Sequence, residues 1–365
     1  MQRSTRPRCS LVACLSAGLC TALVCSGCQS SAQSVHRRAP TVVLHLATID
    51  TLNSNGQLVA PTTFVTALRR LSAGRLTARV QKQYEDGEVA AETDIVKAIA
   101  AGKLDGGWPS TRAFARAGIR GLEPIEAPMA LTSYPAEKAL VGGPGSRRLL
   151  STLRGSGVVG LGLSVGPLRR PWSVTRPLVE PARWHGLTFR SYNSPVQTDT
   201  IRALGGRPVP ASFDFPDLVN QGLLRGVELD AAQFNVGSDG EILSAGVANV
   251  VLWPRVLVLA LSRKRFESLT SHQRNWVIRA AHEAVDASTT FRYDDSRQAA
   301  ASCAAGVRFA TSSPSQVASL RRAVRPVNDA LARDPATSRS MAVVRRVARR
   351  FPQTDVIRVP ASCRR

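Results

Sequence analysis

Between Arg170 and Phe213 the chain gathers side chains of the types that hold a small organic anion. Arg170 precedes Arg190 by twenty positions, Asn193 follows three residues later, and Phe213 closes the stretch. A guanidinium offers a planar fork of N–H donors that pairs bidentately with a carboxylate and keeps its charge at any physiological pH. Two such forks, an amide and an aromatic ring suffice to hold a carboxylate by its charge and a carbon skeleton by its face. A single arginine carries little weight here. Only five of the 48 basic residues are Lys, so 43 are Arg. The spacing of the whole set carries the reading.

Other motifs point to weaker chemistry. Gly162-Leu163-Ser164-Val165-Gly166 fits the G-x-S-x-G nucleophile elbow, which needs a strand before the serine and a helix directly after it. Pro167-Leu168-Arg169-Arg170-Pro171 follows instead and does not read as a helix, so the match is taken as fortuitous. His185, His272 and His282 are the histidines that would have to complete a triad. His282-Glu283 lacks the second histidine of a zinc-protease helix, and Gly142-Gly143-Pro144-Gly145-Ser146 lacks the lysine of a phosphate-binding loop. The expectation is no enzyme, no metal and no cofactor.

The elements that must position these residues follow from periodicity. Thr41 to Thr48 alternates and is β-branched, as a strand does. Pro61 suits a first helical turn, Phe64, Leu68 and Leu71 recur at helical spacing, and Gly74 ends the run. Leu76, Ala78 and Val80 alternate as a second strand. Glu92 to Ala101 sets Ile95, Val96 and Ile99 on one face of a helix capped by Gly102. This strand–helix–strand–helix order implies α/β layers around a largely parallel sheet. Gly155 to Gly166 reads as a buried strand, Pro195 to Leu204 and Phe215 to Leu224 as helices, and Trp253 to Leu261 as a strand region. Thr270-x-x-Gln273 is a capping box that opens a long helix. Val307 to Ala310 is a late strand, and Pro314 to Arg325 and Arg339 to Arg350 are helices with Arg-rich sides. Glu85 and Glu92 are assigned to solvated helix faces, with a place in the cleft as the alternative, and Trp108 and Trp172 to core or pocket wall.

Taken together, Gly186-Leu187-Thr188-Phe189-Arg190, Asn193 and Ala203-Leu204-Gly205-Gly206-Arg207-Pro208-Val209-Pro210 resemble the substrate-binding subunits of TRAP transporters, the DctP-like extracytoplasmic solute receptors. Gly102-Lys103-Leu104-Asp105-Gly106-Gly107 and Ala127-Pro128-Met129 with Tyr134 extend the likeness over roughly residues 41–286. The resemblance implies an α/β, two-lobed periplasmic-binding-protein-like fold with a hinge and an inter-lobe ligand cleft. Residues 41–168 and 256–295 would form lobe I, and 169–255 and 296–365 lobe II. By the same resemblance Arg190 takes a ligand carboxylate, Arg170 supports or doubles it, Asn193 hydrogen-bonds a ligand oxygen and Phe213 packs on the carbon skeleton. Trp108 is a candidate wall. The implied partners are a small organic carboxylate and TRAP-type permease subunits. The runner-up is a ligand sensor or envelope interaction protein of the same fold without transport. Two departures bear on the ligand. Gly226-Val227-Glu228-Leu229-Asp230-Ala231-Ala232-Gln233 stands where relatives carry Gly-Val-Val-Asp-Gly-x-Glu-Asn, and Tyr192 replaces the usual proline after the arginine.

The front of the chain reads as an export signal over residues 1–27. Arg3, Arg6 and Arg8 precede an apolar run from Leu11 to Val24, shorter than the roughly 20 residues that cross a bilayer. Leu23-Val24-Cys25-Ser26-Gly27-Cys28 resembles a lipobox, with Cys28 as the acylated residue and 28–40 as a polar tether. Two acyl chains anchor stably where one does not. The implied location is extracytoplasmic and membrane-anchored. After cleavage Cys303 and Cys363 remain, either bridged in an oxidising compartment or present as two buried thiols. The net charge of +22 raises local anion concentration, yet the Arg-over-Lys skew with abundant Ala, Gly and Pro reads as a GC-rich genome. No arginine stripe is interleaved with stacking rings, so no nucleic-acid partner is expected.

Overall fold

The computed structural model describes residues 41–50, 59–231 and 243–364, all within one unit spanning Pro40–Arg365. Strand β1 (Val42–Ala47) leads through residues 51–58 to helix α1 (Val59–Leu71) and strand β2 (Leu76–Gln81). The tight turn Tyr84–Gly87 precedes α2 (Ala91–Ala100) and the short β3 (Gly106–Gly107). Short 3-10 turns up to Arg120–Glu126 lead into α3 (Tyr134–Gly142) and α4 (Pro144–Leu150). Next comes β4 (Val158–Ser164), and β5 (Leu168–Ser173) begins the second half. There β6 (Thr188–Ser191), α5 (Pro195–Ala203), β7 (Arg207–Pro210), α6 (Phe215–Asn220) and β8 (Gly226–Leu229) follow in order.

The chain then runs through β9 (Ala245–Val247), β10 (Trp253–Pro254) and β11 (Leu257–Ser262). Helices α7 (Arg263–Ser268), α8 (Ser271–Thr290) and α9 (Asp295–Ala304) precede β12 (Arg308–Ala310). Helices α10 (Pro314–Arg333) and α11 (Ser338–Arg350) complete the element order.

These strands form two sheets, one per lobe. The first has the order β2-β1-β3-β11-β4, parallel among β2, β1 and β3 and antiparallel at β11. The second has the order β12-β9-β5-β8-β6-β7, with β10 added beside β5. Helices cover the central strands, which are buried on both faces, as all six residues of β11 are, whereas the edge strands β2 and β7 are partly exposed. Helix α8 begins at the capping box expected at Thr270 and Gln273, and packs Val277, Ala280, Ala281 and Ala284 against the first sheet's core with Phe64 and Leu68 of α1.

The chain crosses between lobes at residues 165–167 and again at Arg255 and Val256, between β10 and β11. These two crossings touch. A Cβ on Gly166 would run into the carbonyl of Arg255, so only glycine allows the approach. The second crossing divides the Trp253 to Leu261 stretch, since Trp253 pairs with Arg169 of the second sheet while Leu257 pairs with Ser164 of the first.

Two features of the tail depart from the sequence reading. Helix α10 does not stop at Arg325 but continues through Pro326 to Arg333, held by buried Leu320, Val324 and Leu331. Assigning all of 296–365 to the second lobe is too coarse. Helix α10 packs on α5, whereas α11 lies against α3, α4 and the Arg120–Glu126 turn of the first lobe, and its Met341, Val343 and Val344 join the core built around α2. Cys303 and Cys363 are joined by a disulfide, with a Cα–Cα separation of 5.7 Å. No described helix is long and apolar enough to cross a membrane.

Candidate functional site

At the ends of β5, β6 and β8 and facing the first lobe, four arginines lie together at 4% exposure or less: Arg112, Arg169, Arg190 and Arg255. A buried guanidinium without an anion costs several kcal/mol, on the order of 3–5 when one partner of a pair is removed. Each of these four has carboxylates beside it. Arg255, at the second crossing, holds Asp50 of the first lobe bidentately at 2.8 and 3.1 Å and stands 3.5 Å from Glu92. Arg112 donates from Nε to Glu92 at 2.5 Å. Ser110 completes that first-lobe half, its hydroxyl donating to Glu92 at 2.6 Å. Arg169 donates to the Glu228 carboxylate and, at 2.7 Å, to Asp230.

Arg190 is placed differently. Its Nη1 donates to the carbonyl of Ser212 at 3.3 Å and its Nη2 to the main-chain carbonyl of Glu228. The Glu228 carboxylate stands 3.6 Å away, and both Arg190 Nε and Glu228 Oε1 lack a hydrogen-bond partner. The Arg190 guanidinium lies 4.7 Å from the Tyr192 ring centre and 4.5 Å from that of Phe215, while Arg112 stacks on Tyr192 at 3.4 Å. Tyr192, which replaces a proline of the family pattern, thus offers its π-system to two guanidiniums of like charge.

The electrostatics follow from burial opposed by pairing. Burial would raise Glu92, but Arg112 and Arg255 overcome it and hold the carboxyl at about 2. Burial acts the same way on Glu228, and Arg169, Arg190 and Arg112 bring it below the usual carboxylate range. Arg190 is pushed down by its own burial, which its neighbours do not fully offset. Glu126 lies beyond this set, on the Arg120–Glu126 turn, and accepts from Ser194 at 2.9 Å and from Gln197 at 3.0 Å at the start of α5. Its burial outweighs Arg112 and those two hydrogen bonds, and pushes it up to about 7.

The residues singled out in the sequence are only partly brought together. Arg190 is in the cluster. Arg170 is not: successive strand residues face opposite sides, so Arg169 enters the cluster while Arg170 points away. There Arg170 donates to the carbonyls of Ala248 at 3.0 Å and Asp355 at 2.9 Å, beside Asp295. Phe213 reaches the first lobe, its ring lying where a Cβ on Gly87 would be. Asn193 is half-buried and makes no hydrogen bond among the described residues. Trp108 does not join them: it is core, edge-on to Phe64 at 5.9 Å. Glu92, read as a solvated helix residue, is buried in the cluster, whereas Glu85 is exposed.

Arg112, Arg169, Arg255 and Asp50 were not legible as site residues. The altered segment at Glu228 was the one available signal, and it puts a carboxylate among the arginines. Ser164 ends β4 and is followed by the crossing and β5, so the helix a nucleophile elbow requires is absent; His185, His272 and His282 are surface residues. Cys28, the 1–40 leader, Asn235 and the remainder of the 226–235 segment after Ala231 lie outside the described residues.

The two-sheet, two-lobed arrangement is similar to that of known solute receptors. The family model of bacterial extracellular solute-binding protein, family 7 (DctP) matches residues 51–221. Over that span, a little under half of its length, the chain is similar to this family. Its fold matches a TRAP periplasmic solute-binding protein of Shewanella oneidensis with bound succinate at a TM-score of 0.75 and 18% identity, over 84% of this chain and 99% of that one. One from Polaromonas sp. JS666 bound to D-erythronate matches at 0.74 and 18% identity, over 83% and 98%. One from Sulfitobacter sp. NAS-14.1 with bound β-D-galacturonate matches at 0.73 and 20% identity, over 83% and 99%. The DctP-like chain therefore has the two-lobed fold of these receptors, with Arg190 on a strand inside the matched span.

Proposed function

We propose that this DctP-like protein captures a small organic acid between its lobes and presents it to a TRAP-type secondary permease. The observation that carries the reading is Arg190, a buried guanidinium whose Nε has no hydrogen-bond partner and whose nearest carboxylate is 3.6 Å away. A ligand carboxylate supplies the anion that Nε lacks, with Arg112 and the Tyr192 ring as neighbours and Asn193 and Phe213 as further contacts. Glu228 sets the selectivity: it already supplies one negative charge, so a ligand with a single carboxylate and uncharged hydroxyls suits the cluster better than a dicarboxylate. That galacturonate, erythronate and succinate occupy similarly folded proteins supports an organic acid as the class. Opening and closing about the crossings at Gly166 and Arg255 would admit and sequester the ligand.

The export signal and acylation of Cys28 belong to this reading as proposals from sequence; mass spectrometry of the protein from a membrane fraction checks them. The ligand is tested by a thermal-shift screen of sugar acids, hydroxy acids, keto acids and dicarboxylates, after unfolding and refolding to strip any bound compound. A ligand at 100 times its dissociation constant adds about 2.7 kcal/mol. A shift given by an acid and lost in Arg190→Lys, with Arg170→Lys still responding, is the expected result. An equal response from the Arg190→Lys protein would remove Arg190 from the role.

A further inference from the structure

A second concentration of arginine lies away from the lobe interface, and no ligand is assigned to it by the family likeness. Helices α10 and α11 and the link between them, residues 314–350, carry nine Arg and two Asp and no Lys or Glu. Where the two helices meet the Met129–Thr132 segment they bound a cleft of about 610 Å³. Arg321, Arg322 and Arg325 enter it from α10, and Arg345 and Arg349 from α11. Asp329 is the single carboxylate in the lining, and it pairs with Arg345 at 3.3 Å. Arg321 donates to the carbonyl of Met129 at 3.1 Å, and its burial pushes its pKa down. Arg322, Arg325 and Arg349 have no ion-pair partner among the described residues. The floor is apolar, formed by Met129, Met341 and Phe351.

The spacing concentrates this charge. Arg321 and Arg325 are four residues apart on one helix and Arg345 and Arg349 four apart on the other, so each helix turns two guanidiniums to one side. Like charges at that spacing repel, and an anion of high charge density bridging the helices relieves the repulsion. Guanidinium forks match the tetrahedral oxygens of a phosphate group, and several forks around one cleft match more than one phosphate charge. The skew toward Arg along the chain explains why these residues are Arg and not Lys. It does not explain why five of them face one cleft with one acid.

We infer that the α10–α11 cleft is a binding site for clustered phosphate groups, either a soluble oligophosphate or the headgroups of an anionic lipid surface. The purified protein is titrated with pyrophosphate, and separately sedimented with phosphatidylglycerol vesicles and with neutral phosphatidylcholine vesicles. The cleft variant is Arg322→Glu/Arg325→Glu/Arg349→Glu. The control is Arg116→Glu/Arg154→Glu/Arg225→Glu, which makes the same change in net charge at exposed positions elsewhere. Both triples lie on the surface, and retention of the melting midpoint checks that each folds. The expected result is a loss of about tenfold or more in affinity for the cleft variant and less than about twofold for the control. That pattern with phosphatidylglycerol vesicles identifies headgroups as the source; with pyrophosphate alone it identifies a soluble phosphate. Equal weakening in both variants, or no binding by the unaltered protein, overturns the site. Organic-acid binding at Arg190 is read in the same samples and is expected to be unchanged in the cleft variant, so failure here and failure of the solute-receptor reading are separate outcomes.

Discussion

The buried cluster between the lobes and the α10–α11 cleft use the same side chain under opposite constraints. Between the lobes, Arg112, Arg169, Arg190 and Arg255 are matched by Asp50, Glu92, Glu228 and Asp230, four charges against four. In the cleft, five arginines stand against one carboxylate, Asp329, which pairs with Arg345. The difference lies in solvation. A guanidinium stripped of water must find an anion within the chain or the fold does not persist, whereas an exposed one is screened and needs none. Pairing inside the protein is therefore evidence about stability, whereas outside it is the convergence of several arginines on one cleft, and not the lack of a partner for any one of them, that points to an external anion. Arg190 falls between the two cases, since it is buried but only partly matched.

The sharpest way to break this contrast is to unbalance the buried side. Glu228→Ala leaves Arg169 and Arg190 without their shared carboxylate in a site with no exposure, and is expected to cost on the order of 3–5 kcal/mol in urea unfolding. Glu228→Gln should cost less because it keeps a hydrogen-bond acceptor. If the cost is electrostatic, a saturating carboxylate ligand should restore more stability to Glu228→Ala than to the unaltered protein. A loss under about 1 kcal/mol would mean that the pairing contributes little.

How much of this was readable beforehand depends on what each element exposes. Helices α1, α2, α5 and α8 and strands β1 and β2 appeared where periodicity put them, because each buries one side and leaves the other wet. Strand β5 buries all six residues, so no alternation shows which way each one faces. With Arg169 and Arg170 adjacent, sequence offered no ground for choosing between them, and the family spacing picked the one that points away. Glu228 was recognised as a departure, but an acid inside the fully buried β8 acquires meaning only when its arginine partners arrive from Arg112 and Arg169, 116 and 59 positions away by simple subtraction. Long-range pairing of this kind leaves no local signature. Pro326 misled in the other direction, since packing of α10 on both sides of it outweighs the lost hydrogen bond.

A middle-sized effect tests the electrostatic account by pH. Glu126 carries a folded-state pKa of about 7 against an ordinary 4.5, so the unfolded chain releases its proton first. Its contribution lowers stability as pH rises from about 4.5 to about 7 and is constant above that. Glu92 has the opposite sign: held at about 2, it adds stability that is lost as pH falls below 4.5. Glu126→Gln should flatten the profile between pH 5 and 7 and gain roughly 1–3 kcal/mol at pH 8. Parallel unfolding profiles for the two proteins would show that Glu126 is ionised in the fold without penalty.

The smallest effect is expected in the cleft, and its sign decides the comparison. Arg325 and Arg349 are exposed and unpaired, so removing either charge breaks no ion pair and lessens repulsion among neighbours. Arg349→Gln and Arg325→Gln should each leave stability within about 0.5 kcal/mol, on the stabilising side at low salt, because like charges four residues apart cost about that much. Adding pyrophosphate should invert the order, stabilising the unaltered protein more than either variant. A clear destabilisation without phosphate would show that these arginines are held by contacts within the chain, and would place the cleft in the same class as the buried cluster.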